Sequence, residues 1–186
     1  MNITTCIRAW AYNNAWANHR LLSACSRLSA GELAMARTGF FGSIIHTLNH
    51  ILTVDWFYVS GLEGHSTGIS AFEPEIPCPL IDDLVQEQRQ VDRRLVQLCE
   101  NLDDPGLDRV IALERKDWTQ HETVGRTLLH LFEHQIHHRG QVHTMLSGTG
   151  VAPPQLDEFF PGHAREQASR KDDFAALGFS EQHIWR

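Results

Sequence analysis

Residues 130–146 read HLFEHQIHHRGQVHTML, and the spacing within this stretch decides the fold. Val124, Thr127 and Leu128 precede it, Leu131 stands near its start and Val142 and Met145 near its end, linked by steps of three and four. That period is the signature of an amphipathic helix with one face in a core. His134 and His138 fall on the same stripe, so the pattern directs two imidazoles inward, one turn apart. His130 and His137 lie to one side of the stripe, and His121 and His143 at its periphery. The helix is expected to open at a capping box, Thr119 to Glu122, and to run to Ser147, where Gly148 and Gly150 stop it.

Working outward, three more long segments show the same period. The first spans about residues 5–28, with Ile7, Ala11, Asn14, Asn18, Leu21, Cys25 and Leu28 on its inward stripe. Two asparagines in that stripe break the apolar rule. Buried amides need partners, so they bond across the core or face a polar cavity. A capping box at Ser29 and Glu32 predicts a short turn of helix. The second long helix begins at Gly42 or Ser43 and continues to about Val59, carrying Thr47, His50 and Val54 inward. Glycines 61, 64 and 68 then announce a loop that continues through Pro74, Pro77 and Pro79. The third long helix covers about residues 80–102, with Ile81, Leu84, Val91, Leu95 and Leu98 on one side and charge on the other. Residues 103–118 are ambiguous; Val110 to Leu113 suit a short extended piece, but the pattern is too brief to carry a strand. Four long helices and no sustained alternation predict an all-α chain, arranged as an antiparallel four-helix bundle. The expected division is a bundle over residues 1–150 and a C-terminal tail over 151–186. Phe159, Phe160, Phe174, Leu177, Phe179 and Trp185 suggest that the tail packs on the bundle or on a second subunit.

Composition narrows the function. The 186 residues carry 16 Lys and Arg against 23 Asp and Glu, a formal net charge of -7. A protein that grips phosphates needs a basic face, so nucleic acid is not an expected partner. No run of about 18 apolar residues is present to span a bilayer. Arg8, Asn13, Asn14 and Asn18 interrupt the first segment where a signal peptide would be apolar. Cys6, Cys25, Cys78 and Cys99 form no C-x-x-C pair and read as reduced thiols. The expectation is therefore a cytoplasmic protein with no membrane partner.

Histidine is the outlier, at 12 of 186 residues, six of them between His121 and His143. Three H-x-x-x-H pairs occur: His46/His50, His130/His134 and His134/His138. Roughly one such pair is expected by chance at this content, so the pairs matter only where they face the core. His50, His134 and His138 satisfy that condition on two helices. Three imidazoles would hold a divalent ion and leave a coordination position open, as catalytic sites do. The competing reading is a set of core histidines bonded to one another or to buried amides. Asn14, Asn18, Asp55 and Glu133 are candidates to accept the second N–H of a ligating ring or to orient a bound water.

Three blocks then carry a likeness to a known family. Asn14, Trp16 and Asn18 form an N-x-W-x-N pattern. Phe40-Phe41-Gly42-Ser43 is followed by Thr47-Leu48-Asn49-His50 and Asp55. His134, His137, His138, Arg139, Gly140 and Gln141 make up the third block. Together they resemble the DinB/YfiT-like metal-dependent enzymes over most of the chain from Asn14 to Ser147. That resemblance implies a four-helix bundle and a metal triad at His50, His134 and His138. Members with assigned activities include thiol-dependent transferases and isomerases, in which the metal activates a small thiol. Many members are dimers, and most have no assigned reaction. Two departures touch pocket shape: Asn13 stands where a tyrosine is frequent, and Tyr58 where a tryptophan is frequent.

The expected function is accordingly a metal-dependent enzyme acting on a small molecule, as a hydrolase or thiol transferase. The ion, zinc or nickel before iron or copper, would activate water or a low-molecular-weight thiol. Asp55 is the best available general base. Asn14 and Asn18 would bind substrate or support the ligands. The alternative is a non-catalytic stress-response protein with a structural metal, its site closed by His46 or His137.

Overall fold

The computed structural model describes residues 2–186; residue 1, the first of the expected 1–150 unit, lies outside the described residues. Four long helices follow from the four periodic segments: α1 (Ile3–Cys25), α3 (Ile44–Leu62), α4 (Ile81–Glu100) and α6 (Val124–Ser147). Two short helices, α2 (Ala30–Ala34) and α5 (Asp104–Leu107), follow α1 and α4, and Ser29 and Glu32 make both arms of the α2 capping box. Ser43 caps α3, its Oγ accepting from His46 N, and Thr123 caps α6 by accepting from Arg126 N. Each cap satisfies a backbone N–H that the helix itself leaves without a partner.

The four long helices share one apolar core. Leu21 and Cys25 of α1 meet Ile44, Leu52 and Phe57 of α3, Leu84 and Leu95 of α4, and Leu128, Leu131 and Val142 of α6. In contact terms α1 lies on α4 and α6, and α3 lies on the same two helices. The mainly helical architecture agrees with the sequence. No described helix is long and apolar enough to cross a membrane.

Residues 110–123 depart from expectation. The short extended piece around residues 110–113 is a strand, β1 (Val110–Glu114), paired antiparallel with β2 (Thr119–Thr123). The residues read as the opening turn of the last long helix are therefore a strand, and α6 starts at Val124 instead. Alternation explains it: Ile111 and Leu113 are buried while Val110, Ala112 and Glu114 face out. The Glu122 carboxylate accepts from Thr123 N next to it, so it closes no box with Thr119. Leu113 packs against Gly61 so closely that any side chain there would collide with it, which seats the hairpin on α3.

The expected tail also has regular structure, α7 (Ala164–Leu177) and α8 (Glu181–Ile184). A second apolar cluster joins Ala9, Tyr12, Trp16 and Ala17 of α1 to Phe159, Phe174 and Ile184. Trp16 is completely buried there, its indole N–H donating to Asp173 at 3.1 Å. Arg20 bonds the same carboxylate at 2.6 Å and lies over the Trp16 ring.

The middle of the core is polar. Arg139 donates to the side-chain oxygens of Asn14, Asn18 and Gln135. The amides of Asn14 and Asn18 donate to Asp92 Oδ1 at 3.3 and 3.0 Å. Gln88 bridges Asp92 and Asp55 with its one amide nitrogen, and Gln135 completes the ring by donating to Asp55 Oδ1. All seven side chains are buried. Burial pushes the carboxyl of Asp55 up to about 7, with the charge of Asp92 adding to the effect, and that of Asp92 up to about 6. Burial also lowers the Arg139 guanidinium to about 10, against the pull of both carboxylates.

One cation thus serves two buried acids. Removing one partner of a buried ionic set costs about 3–5 kcal/mol, because the remaining charge stays uncompensated. Arg139→Met should therefore lower the unfolding free energy by about that amount in urea denaturation. A loss below about 1 kcal/mol would show that the ring is not an ionic unit.

Candidate metal centre

His50 comes from the second turn of α3, and His134 and His138 from adjacent turns of α6. The four-residue step puts the latter two rings above one another, with centroids 4.4 Å apart. The His50 ring faces both, at 5.0 Å from His134 and 4.6 Å from His138. His50 Nε2 and His134 Nε2 are 3.0 Å apart, and one nitrogen from each ring lies within 4.8 Å of the others. The three residues that the stripes selected are therefore together at one point.

Burial and neighbouring imidazoles hold these rings neutral. His50 is lowered to about 4 and His134 to about 3, burial being the larger cause in each and the facing histidines the next. His138 is lowered by burial as well. Neutral imidazoles keep the lone pairs that a metal needs.

Gln141 fixes the tautomer of one ring. Its Oε1, which can only accept, is 2.9 Å from His138 Nδ1, so that nitrogen carries the proton and Nε2 presents its lone pair. The same glutamine faces His137 Nε2 with its amide nitrogen at 2.9 Å. Phe41 covers the cluster, stacked on His50 with centroids 4.1 Å apart and 5.6 Å from His138. It is held there by a turn in which Gly42 adopts a φ of 72°, a conformation that costs a side-chain-bearing residue about 1 kcal/mol or more.

Hydrogen bonding among the rings does not by itself account for the cluster. One bond between His50 and His134 uses a single nitrogen of each, and His134 Nδ1 is buried with no partner among the described residues. A tetrahedral ion with nitrogen ligands at about 2.0–2.1 Å separates them by roughly 3.3 Å. The spacing and the neutral donors fit such an ion.

The other expected residues sit elsewhere. Asp55 does not reach the histidines: both of its oxygens accept from glutamine amides inside the core. Asn14 and Asn18 are likewise taken up by Asp92 and Arg139, so the buried polar ring accounts for the broken stripe of α1. Glu133 is exposed. Of the suggested closing ligands, His46 lies 3.1 Å from Glu75 and His137 is bonded to Gln141. His121 lies on β2, and His143 Nε2 meets the Pro154 carbonyl. The sequence reading missed Gln141 and Phe41 as parts of the centre. Both stand in the blocks that carry the family resemblance, yet only Gln141, three residues after His138 where helical neighbours touch, had a period to tie it to the site; Phe41, a loop residue, had none.

The family model of the DinB family matches residues 3–170. The chain therefore belongs to the DinB family. A crystal structure of a DinB-like protein from Bacillus cereus ATCC 10987 is similar in fold. It aligns at a TM-score of 0.58 and 17% identity, over 75% of this chain and 90% of the other. No curated protein matches.

His50→Ala, His134→Ala and His138→Ala should each abolish metal binding, measured as stoichiometry after dialysis against zinc or nickel, while His121→Ala retains it. Equal metal in all four variants would dissolve the assignment. Gln141→Ala should keep the stoichiometry but weaken affinity roughly 10–100-fold, as removal of an outer support does. Unchanged affinity in a competition titration would mean that Gln141 does not set the ring.

Proposed function

We propose that this protein is a metal-dependent enzyme, with His50, His134 and His138 holding a divalent ion in an antiparallel four-helix bundle of the DinB/YfiT-like type. The observation that carries the reading is the convergence of three neutral imidazoles from two helices, with no fourth protein ligand among the described residues. A closed structural site would have one; His137 is bonded to Gln141, and His46 does not belong to the three-histidine group. When bound, a divalent ion supplies Lewis acidity, which lowers the pKa of a coordinated water or thiol. Zinc or nickel suits three nitrogens best, with iron or copper less favoured, and the reaction is hydrolysis or transfer of a low-molecular-weight thiol to a small molecule.

The chain's own residues divide the remaining work. Gln141 keeps His138 in the tautomer that points its lone pair at the shared site. Phe41 covers one side of the cluster. Asp55 acts as a positioning residue: it clamps Gln135, the neighbour of His134, and so fixes that turn of α6. Asn14 and Asn18 support the same turn through Arg139. We further propose that the protein works in the cytoplasm as a homodimer, with residues 151–186 as an appendage to a 1–150 bundle and without nucleic-acid or membrane partners.

Cobalt-substituted protein provides the test. Addition of 2-mercaptoethanol should produce a thiolate-to-metal absorption band in the near ultraviolet, and the band should be absent in His134→Ala. Cobalt bound stoichiometrically but blind to thiol, with water exchange also blocked, would favour the non-catalytic protein with a structural metal.

A further inference from the structure

A cavity of about 520 Å³ lies between α1, α4 and the chain around Leu177 and Phe179, and none of the three histidines lines it. Its most buried lining residues are Ala15, Leu22 and Asp92, at 5, 5 and 6% exposure, which makes them its floor. Val85, Val96, Leu177 and Phe179 add an apolar wall, and Arg89 and Arg93 stand exposed at its mouth.

Asp92 is the unusual feature of that floor. Its Oδ1 already accepts from Asn14, Asn18 and Gln88, whereas its Oδ2 accepts from no described residue. That oxygen keeps contact with solvent, so a ligand in the cavity can reach it. The charge of the polar ring points the same way. It holds two carboxyls, Asp55 and Asp92, against the single guanidinium of Arg139, and so lacks one positive charge when both acids are ionised. The arginines at the mouth do not supply it, since Arg89 donates to the Ala176 carbonyl and Arg93 is exposed.

We propose that this cavity is a second binding site, for a small organic ammonium ion whose –NH₃⁺ sits on Asp92 Oδ2 and whose hydrocarbon body lies along Leu22, Val85, Val96 and Phe179. An ammonium group donates the missing hydrogen bond and brings the missing charge together. The apolar wall favours an alkyl or aryl monoamine. Arg89 and Arg93 disfavour a second cationic end, and Glu100, the other carboxylate in the lining, is taken up by Tyr12 and His183. The proposal does not depend on the metal reading.

n-Hexylamine is a suitable probe, with binding followed by amide chemical shifts of labelled full-length protein. It should bind saturably, with the largest shifts around Ala15, Asp92 and Val96. 1-Hexanol and 1,6-diaminohexane should each bind at least ten-fold more weakly. Asp92→Asn should lose at least ten-fold in affinity. Should that variant fail to fold, Ser23→Trp, at the exposed rim, should block binding while leaving thermal stability unchanged. His134→Ala should bind the amine as the wild type does; if it does not, the amine is a metal ligand and the proposal is overturned. Hexanol binding as tightly as hexylamine, or unchanged affinity in Asp92→Asn or Ser23→Trp, would equally overturn it.

Discussion

A closed circuit of hydrogen bonds at the centre of the molecule constrains everything around it. Arg139 of α6 holds Asn14 and Asn18 of α1, these hold Asp92 of α4, Gln88 ties Asp92 to Asp55 of α3, and Gln135 returns to Arg139. Apolar side chains can slide past one another at little cost, but a buried amide or carboxylate displaced by one turn loses its partner outright. The circuit therefore sets the register of the four long helices more sharply than the surrounding leucines could. Such a ring stabilises the fold only when every member is satisfied. Asp92 Oδ2, at the cavity floor, accepts from none of the described residues.

The histidine cluster depends on that register. His50 is five residues before Asp55 on α3, and His134 and His138 each adjoin a member of the ring, Gln135 and Arg139. Fixing the two helices at the ring fixes the distance between the imidazoles about one turn away. A site built on rigid helices and backed by locked neighbours holds its ligands closer to a required geometry than one built on loops. The loop elements add cover instead of ligands: Phe41 stacks on the cluster, and Asn49 bonds the backbone of Cys78, which secures the long loop that brings Glu75 to His46.

The first block of the family signature can be explained in these terms. Asn14 and Asn18 are one turn apart and face the ring, while Trp16 lies between them in sequence and points the opposite way. There it enters the second apolar cluster with Phe159 and Phe174 and bonds Asp173. One helix turn thus locks the polar core on one side and the C-terminal segment on the other. Family membership and fold do not specify a reaction, since the same bundle can present different chemistries; what is particular to this chain lies in the groups around the triad and in the second cavity.

By itself the sequence determined the four helices and the three histidines that come together, because a helical period is a local property and the stripe that carries leucines also carries His50, His134 and His138. It also marked Asn14 and Asn18 as buried amides in need of partners. Only the tertiary structure decided who those partners were: Gln88 and Asp92 fall at helical spacing with Leu84 and Leu95, and Arg139 with Gln135 and Val142, but their polar chemistry reads as surface until the partners are seen. It decided that Asp55 belongs to the core circuit and not to the metal site. It turned residues 119–123 into a strand, because a short segment takes its conformation from the neighbour it pairs with and the helix it packs on. Contacts outside a single helix, such as Phe41 on His50 across a turn and Trp16 on Asp173 across most of the chain, have no period to betray them.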